Sequence, residues 1–273
     1  MSAETRVIAM QTTMREVAME IEATSTESGT VTTLLLPLTP REQLTAGRTG
    51  RRLLQLFGGL FLYGWSMAMM VRSVLGLDPW DVFHDGIVQR TALSFGTVVI
   101  LASVVVLLLW IPLRQLPGLG TLANAVTIGL VTDLGLTLIA TPESLTLRAG
   151  LLVGGIVLNG LAGAMYIGAQ FGPGPRDGLM TGLVLRTGRS VRLVRTLLEV
   201  SVLAVGWLLG GTVGIGTVLY ALMIGPLVQA FLPHLVVQLP ASAARSGRGG
   251  VGGVGARRPA RRTRRRSPSR PPR

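Results

Sequence analysis

The stretch "GLDPWD", residues 76–81, follows a long apolar run, and "GPGPRD", residues 172–177, follows another. The second begins 96 positions after the first (172 against 76), and both write G-x-x-P-x-D. Sliding the whole chain by the same distance extends the match. Gly58 and Gly59 fall on Gly154 and Gly155, Gly64 on Gly160, and Ala68 and Met69 on Ala164 and Met165. Gly86 falls on Gly182, Arg90 and Thr91 on Arg186 and Thr187, and Gly118, Gly120 and Thr121 on Gly214, Gly216 and Thr217. Between 52–135 and 148–231, 28 of 84 positions are identical without a gap. An internal duplication of this length sets the architecture.

The composition says what kind of unit is repeated. Apolar residues make up 48% of the 273, and charged residues only 14%, against about a quarter in a soluble domain. Apolar runs cover 53–71, 98–111, 119–139, 151–167, 197–209 and 215–232. A membrane core takes about 20 mostly apolar residues per helix, so the runs predict six spans, three in each copy. A unit that crosses an odd number of times leaves its successor upside down. The expected fold is therefore all-α, with six transmembrane helices arranged as two inverted three-span repeats.

Charge bears on orientation independently. Arg48, Arg51 and Arg52 precede the first span, and Arg114 separates the second from the third. Arg176, Arg186, Arg189, Arg192 and Arg195 lie between the fourth and fifth. The positive-inside rule places both termini in the cytoplasm. The first motif then faces outside and its twin inside. Each reads as the start of a short extra helix, over 80–93 and 176–189, with Asp78 or Gly174 as the cap and Pro79 or Pro175 in the first position.

The membrane repeats are assigned to 51–145 and 146–236. Residues 1–50 read as a loosely ordered extension, with a short helix possible over 7–23. Residues 237–273 are rich in Arg, Gly and Pro and contain no acid, the composition of a disordered segment. Much of the net charge of +13 sits there. Such a tail suits anionic lipid head groups at the cytoplasmic face. It carries no aromatic between its arginines, which argues against single-strand nucleic-acid binding.

Several residues are candidates for a substrate or ion path. Asp81 and Asp177 hold matched positions, either as carboxylates stabilising helix starts by about 1 kcal/mol or as ligands for a cation or amine. Asp78 and Arg176 flank the same motifs. Asp133 and Glu199 lie within spans, where an ionisable group is a functional hypothesis, although Arg195 is placed to pair with Glu199 at i,i+4. Asn124, Asn159 and Tyr220 are neutral polar groups in spans, suited to bonds between helices. "DVFHD", 81–85, invites a metal or acid–base reading, but His84 has Met180 as its counterpart and no second motif completes a site. Cysteine is absent, so thiolate metal sites are excluded. No P-loop or catalytic signature points to an enzyme, and no cofactor or metal is expected.

"GLDPWDVFH", "GPGPRDGLMTGL", "RTGRSVRLVRTLLEV" and "GWLLGGTVGIGTVLYALMIGPLVQ" resemble the YczE-like membrane proteins, grouped with the YyaS and YitT proteins of bacteria. The resemblance covers 38–233 and implies a bacterial integral membrane protein of the cell membrane. The expectation that follows from repeat and composition is a secondary transporter of a small molecule or ion. The rival is a non-transporting scaffold or regulatory protein that assists a partner complex, and a membrane-embedded enzyme comes third.

Overall fold

In a computed structural model the chain is described for Leu35 and residues 38–240. The possible helix over 7–23 and the tail beyond 240 lie outside the described residues. Among those described, all regular structure is helical. The elements are α1 (Pro40–Thr45), α2 (Thr49–Ser73), α3 (Pro79–Val88), α4 (Phe95–Leu113), α5 (Leu119–Leu138), α6 (Leu145–Gly168), α7 (Pro175–Thr187), α8 (Val191–Leu208) and α9 (Ile215–Leu235).

Five helices, α2, α4, α5, α6 and α9, are long and apolar enough to cross a membrane. α8, the expected fifth span, is 18 residues long but carries Arg192, Arg195 and Glu199, and it does not join that set. The outer surface is apolar. Leu54, Ile111, Leu208 and Ile215 are exposed along with Leu101, Val105 and Leu222, large apolar side chains of the kind that mark a membrane-facing surface.

α2 and α6 cross at the centre. Each buries a ladder at helical spacing, Leu56, Gly59, Leu60, Tyr63, Met67 and Met70 on α2, and Leu152, Gly155, Ile156, Asn159 and Gly163 on α6. Glycine makes the crossing close: a Cβ on Gly59 would lie 2.9 Å from Met165 Cβ, and one on Gly155 would lie 2.8 Å from Met70 Cγ. This is small-residue packing of membrane helices. α5 packs on α2 and α9 on α6, while α3 lies against α8 and α7 against α4. Each of these packings in one half has its counterpart, 96 residues away, in the other.

The linkers before the short helices dock in the same paired way. The Gly216 amide donates to Leu75 O at 2.8 Å, and the Gly120 amide donates to Phe171 O at 2.9 Å. Both linkers turn on a glycine with positive φ, Gly76 at +117° and Gly172 at +105°, a conformation that side chains disfavour.

Residues 38–50 depart from the expected loose extension. α1 starts with a capping box between Thr39 and Glu42, and Gln43 is buried. Arg52 is fully buried too. Its guanidinium donates to Gln43 O, Ala169 O and Gln170 O at 2.6, 2.9 and 2.7 Å and stacks 4.0 Å over Phe171. This arginine ties α1 and the linker after α6 to α2, rather than standing as a free surface charge.

Candidate functional site

The two short helices begin at the same place. Asp78 caps α3, its Oδ1 accepting from Trp80 N and Asp81 N at 2.8 and 2.9 Å, and Pro79 occupies the first turn. α7 starts at Pro175 after Gly174. Trp110 from α4 donates its indole N–H to Pro175 O at 3.0 Å, and its ring fills the space where Gly178 has no side chain. The expected arrangement, one acid on each face of the membrane, is corrected here. Asp78, Asp81, Arg176 and Asp177 all line one small cavity of about 70 Å³.

Neither motif acid caps its helix. Asp81 Oδ1 lies 3.2 Å from His84 Nδ1, and Asp81 Oδ2 is buried with no hydrogen-bond partner among the described residues. Asp177 Oδ2 accepts from the Tyr166 hydroxyl at 2.7 Å. Arg176 donates to the Tyr63 hydroxyl at 2.8 Å, and Asn124 completes the polar wall.

Burial dominates the acid–base character of α3, which is not one of the spanning helices. It raises the Asp81 carboxyl to about 7, with Arg176 opposing and Asp85 adding to the rise. Asp78 is raised to about 6, first by burial and then by the charge of Asp81, against Arg176. Burial lowers His84 to about 4, so the ring is neutral near pH 7. As the Nδ1–H tautomer it donates to Asp81.

A larger cavity of about 320 Å³ adjoins the first and shares Tyr63, Trp80, Tyr166, Arg176 and Asp177 with it. Its other walls come from α6, α8 and α9 and include Asn159, Tyr220, Glu199 and Gln229. Asn159 also joins three helices, donating to Ser66 Oγ at 2.9 Å and accepting from the Tyr220 hydroxyl at 3.0 Å. Glu199 pairs with Arg195 at 3.1 Å, both well exposed.

Asp133 lies elsewhere. Its carboxylate accepts from Ser94 Oγ at 2.5 Å and from Gly96 N at 2.7 Å, fastening α5 to the start of α4. At this seam a Cβ on Gly129 would meet Gly96 O at 2.5 Å. The counterparts of Ser94, Asp133 and Gly129 are Ser190, Gln229 and Gly225. There α8 and α9 share no packed seam, and among the described residues a Cβ on Gly225 would have nothing within 4 Å. Two differences accompany the gap. α9 has Pro226 inside it, where α5 has Leu130, and an interior proline removes a helix bond and bends the axis. Arg192 also replaces Gly96.

Sequence reading missed Tyr63 and Tyr166 as site residues, because an aromatic in a span reads first as packing, and it missed Trp80, whose counterpart in the second copy is Arg176. Among the described residues, no three His, Asp or Glu side chains are grouped to hold a metal ion.

Residues 50–233 match the model of a family of unknown function, DUF6198. The chain belongs to this family. An uncharacterised protein of Haemophilus influenzae is 41% identical over 185 residues, 68% of this chain and 84% of that protein. The uncharacterised membrane protein YczE of Bacillus subtilis is 31% identical over 191 residues, covering 69% and 89%. The uncharacterised protein YyaS of the same organism is 29% identical over 181 residues, covering 64% and 89%. No solved structure matches the chain. The family is therefore a membrane protein family, and the YczE-like resemblance holds.

Proposed function

We propose that the chain is a secondary transporter of a small molecule or ion in the bacterial cell membrane. α8 serves as the sixth span, the halves are inverted repeats, and both termini lie in the cytoplasm. The carrying observation is a polar site, ringed by Tyr63, Tyr166, Arg176 and three aspartates, in a bundle whose two equivalent seams differ. The α4–α5 seam is shut by Asp133, Ser94 and the Gly96–Gly129 contact, while the α8–α9 side borders the larger cavity. A site with one seam shut and its counterpart unpacked fits one half of an alternating cycle. The Arg-rich tail is proposed to hold the cytoplasmic face against anionic lipid.

One observation favours the rival, a non-transporting scaffold. A Cβ at Gly96 would overlap the Gly129 backbone, and Arg192 stands at the equivalent place. The second seam therefore cannot close as a copy of the first. Thiol accessibility separates the readings, because the chain has no cysteine of its own. A single cysteine at Asn124 should react with an impermeant reagent from either face of the membrane if the site alternates. Reaction from one face alone, under every solute tried, points to the scaffold.

A further inference from the structure

The geometry points to Asp81 as a site that takes up and releases a proton within the small cavity. The inference rests on the transport reading only for its use, since a carboxyl that can change charge between the two faces would couple solute movement to protons.

The repeat supplies an internal comparison. Asp177 and Asp81 are counterparts, but their surroundings are not. The Asp177 carboxylate receives a hydrogen bond from Tyr166, and the counterpart of Tyr166 is Met70, which has no hydroxyl to give. Arg176 is matched by Trp80. Asp81 therefore has one oxygen against a neutral imidazole and the other, Oδ2, buried with no partner among the described residues. It is 1% exposed. A buried carboxylate oxygen without a donor strongly favours the protonated form. Helix capping does not explain the residue, because Asp78 already caps both free amides of that turn.

The groups facing the cavity keep this charge balance sensitive to one proton. α3 contributes Asp78, Asp81 and His84, with Asp85 further along the helix; α7 contributes Arg176 and Asp177; α2 and α6 contribute the phenols of Tyr63 and Tyr166. α4 and α5 present Ser103 and Asn124, which do not titrate, while α8, packed against α3, and α9 hold Arg195, Glu199 and Tyr220 in the adjoining larger cavity. A metal cation fits this set less well. Arg176 already stands in the cavity as a cation, and no cluster of three acidic or histidine ligands is present among the described residues. A proton needs no coordination shell, and the cavity has room for the water that would deliver it. The step is complete in itself: the carboxylate takes a proton from hydronium or buffer acid relayed through cavity water, becoming a neutral carboxyl, and gives the proton back to water when the pH around it rises.

The test is infrared difference spectroscopy on the full chain in lipid, stepped from about pH 5 to about pH 9 to span the carboxylate and histidine range. The expected result is a carbonyl-stretch band of a protonated carboxyl that disappears on alkalinisation. The Asp81 band should be lost in Asp81→Asn and kept in Asp177→Asn. The band of Asp78, whose carboxyl is also raised into this window by burial, is told apart by its loss in Asp78→Asn. Asp81→Glu should retain a titrating band with a displaced frequency, which covers the case of an Asp81→Asn protein that does not fold. No titrating band in the wild type, or no band lost in Asp81→Asn, overturns the assignment. So does thermal stabilisation by sodium over choline at fixed ionic strength without any carboxyl band, which would make this a metal-cation site. None of these readouts needs transport, so a proton site can stand even where two-sided access at Asn124 fails.

Discussion

The Tyr166 hydroxyl on α6 donates to Asp177 Oδ2 at the start of α7, 2.7 Å away. The bond closes one side of the polar site and satisfies the second-copy acid that the first copy leaves bare. Tyr166→Phe should therefore destabilise the protein by about 1–3 kcal/mol, the cost of stranding a buried acceptor. Adding Asp177→Asn to Tyr166→Phe should recover part of that loss, because the stranded charge is gone. Melting curves of the two single variants and the double variant check the coupling.

The pH dependence of stability follows from Asp81. Its folded carboxyl sits at about 7 against an ordinary value of 3.8, so between those limits the folded chain holds a proton that the unfolded chain has released. Stability then falls as pH rises through this window. His84, lowered from 6.5 to about 4, acts in the opposite sense below 6.5, and Asp78, raised from 3.8 to about 6, acts in the same sense as Asp81 below about 6, which leaves the interval above about 6.5 as the clean one. Asp81→Asn should melt above wild type at pH 8, by about 2–4 °C for each kcal/mol relieved. The advantage should shrink as the buffer is taken down to pH 6. A lower melting temperature for the variant at pH 8 would mean that the ionised carboxylate is held by bonds the structure lacks.

Two acids inside apolar runs should behave differently. Asp133 holds Ser94 and the Gly96 amide, so Asp133→Ala should cost about 1–3 kcal/mol. Glu199 has an exposed partner in Arg195, and Glu199→Gln should cost no more than about 1 kcal/mol. Thermal unfolding in one detergent compares the two directly. Equal losses would place Glu199 in a less solvated environment than its exposure indicates.

Arg52 was legible in the sequence as a positive charge before a span, and its structural role was not. What decides that role is a linker more than a hundred residues away, whose buried carbonyls at Ala169 and Gln170 accept from this guanidinium. Arg52→Met should therefore fail to accumulate in the membrane, and Arg52→Lys should be only partly restored, since an ammonium cannot span the fork that reaches three carbonyls. Quantifying membrane-inserted protein checks this.

What could be read beforehand was local or periodic. The 96-residue shift, the helix starts at Pro79 and Pro175, the Asp78 cap and the Arg195–Glu199 pair all follow from spacing along the chain. Their convergence did not. That Asp81 and Asp177 would reach one cavity depends on how α3 and α7 pack against α8 and α4, a long-range relationship that no i,i+4 pattern contains. The residue that satisfies one acid and leaves the other bare, Tyr166 against Met70, becomes visible only after the two copies are compared in space. Likewise Asp133 reads as a membrane-buried charge until Ser94 is found beside it.

The paired glycines Gly129 and Gly225 give the sharpest contrast between the halves. A methyl group at Gly129 would meet Gly96 O at 2.5 Å and Ile100 Cγ1 at 2.7 Å, so Gly129→Ala must push α4 and α5 apart and should cost about 1–3 kcal/mol, as overpacking does. At Gly225 the same methyl meets nothing within 4 Å. Helix propensity favours alanine there by about 1 kcal/mol, but Pro226 follows, and the residue before a proline resists a helical backbone once it carries a Cβ. The two effects oppose each other, and Gly225→Ala should change stability by less than about 1 kcal/mol. A larger side chain then tests motion rather than stability. If α8 and α9 approach during a cycle, Gly225→Leu should leave the melting temperature near wild type and abolish reaction of a cysteine at Asn124 from the face opposite the larger cavity. If that reaction persists unchanged in Gly225→Leu, the α8–α9 gap is not the moving part, and access must change elsewhere in the bundle.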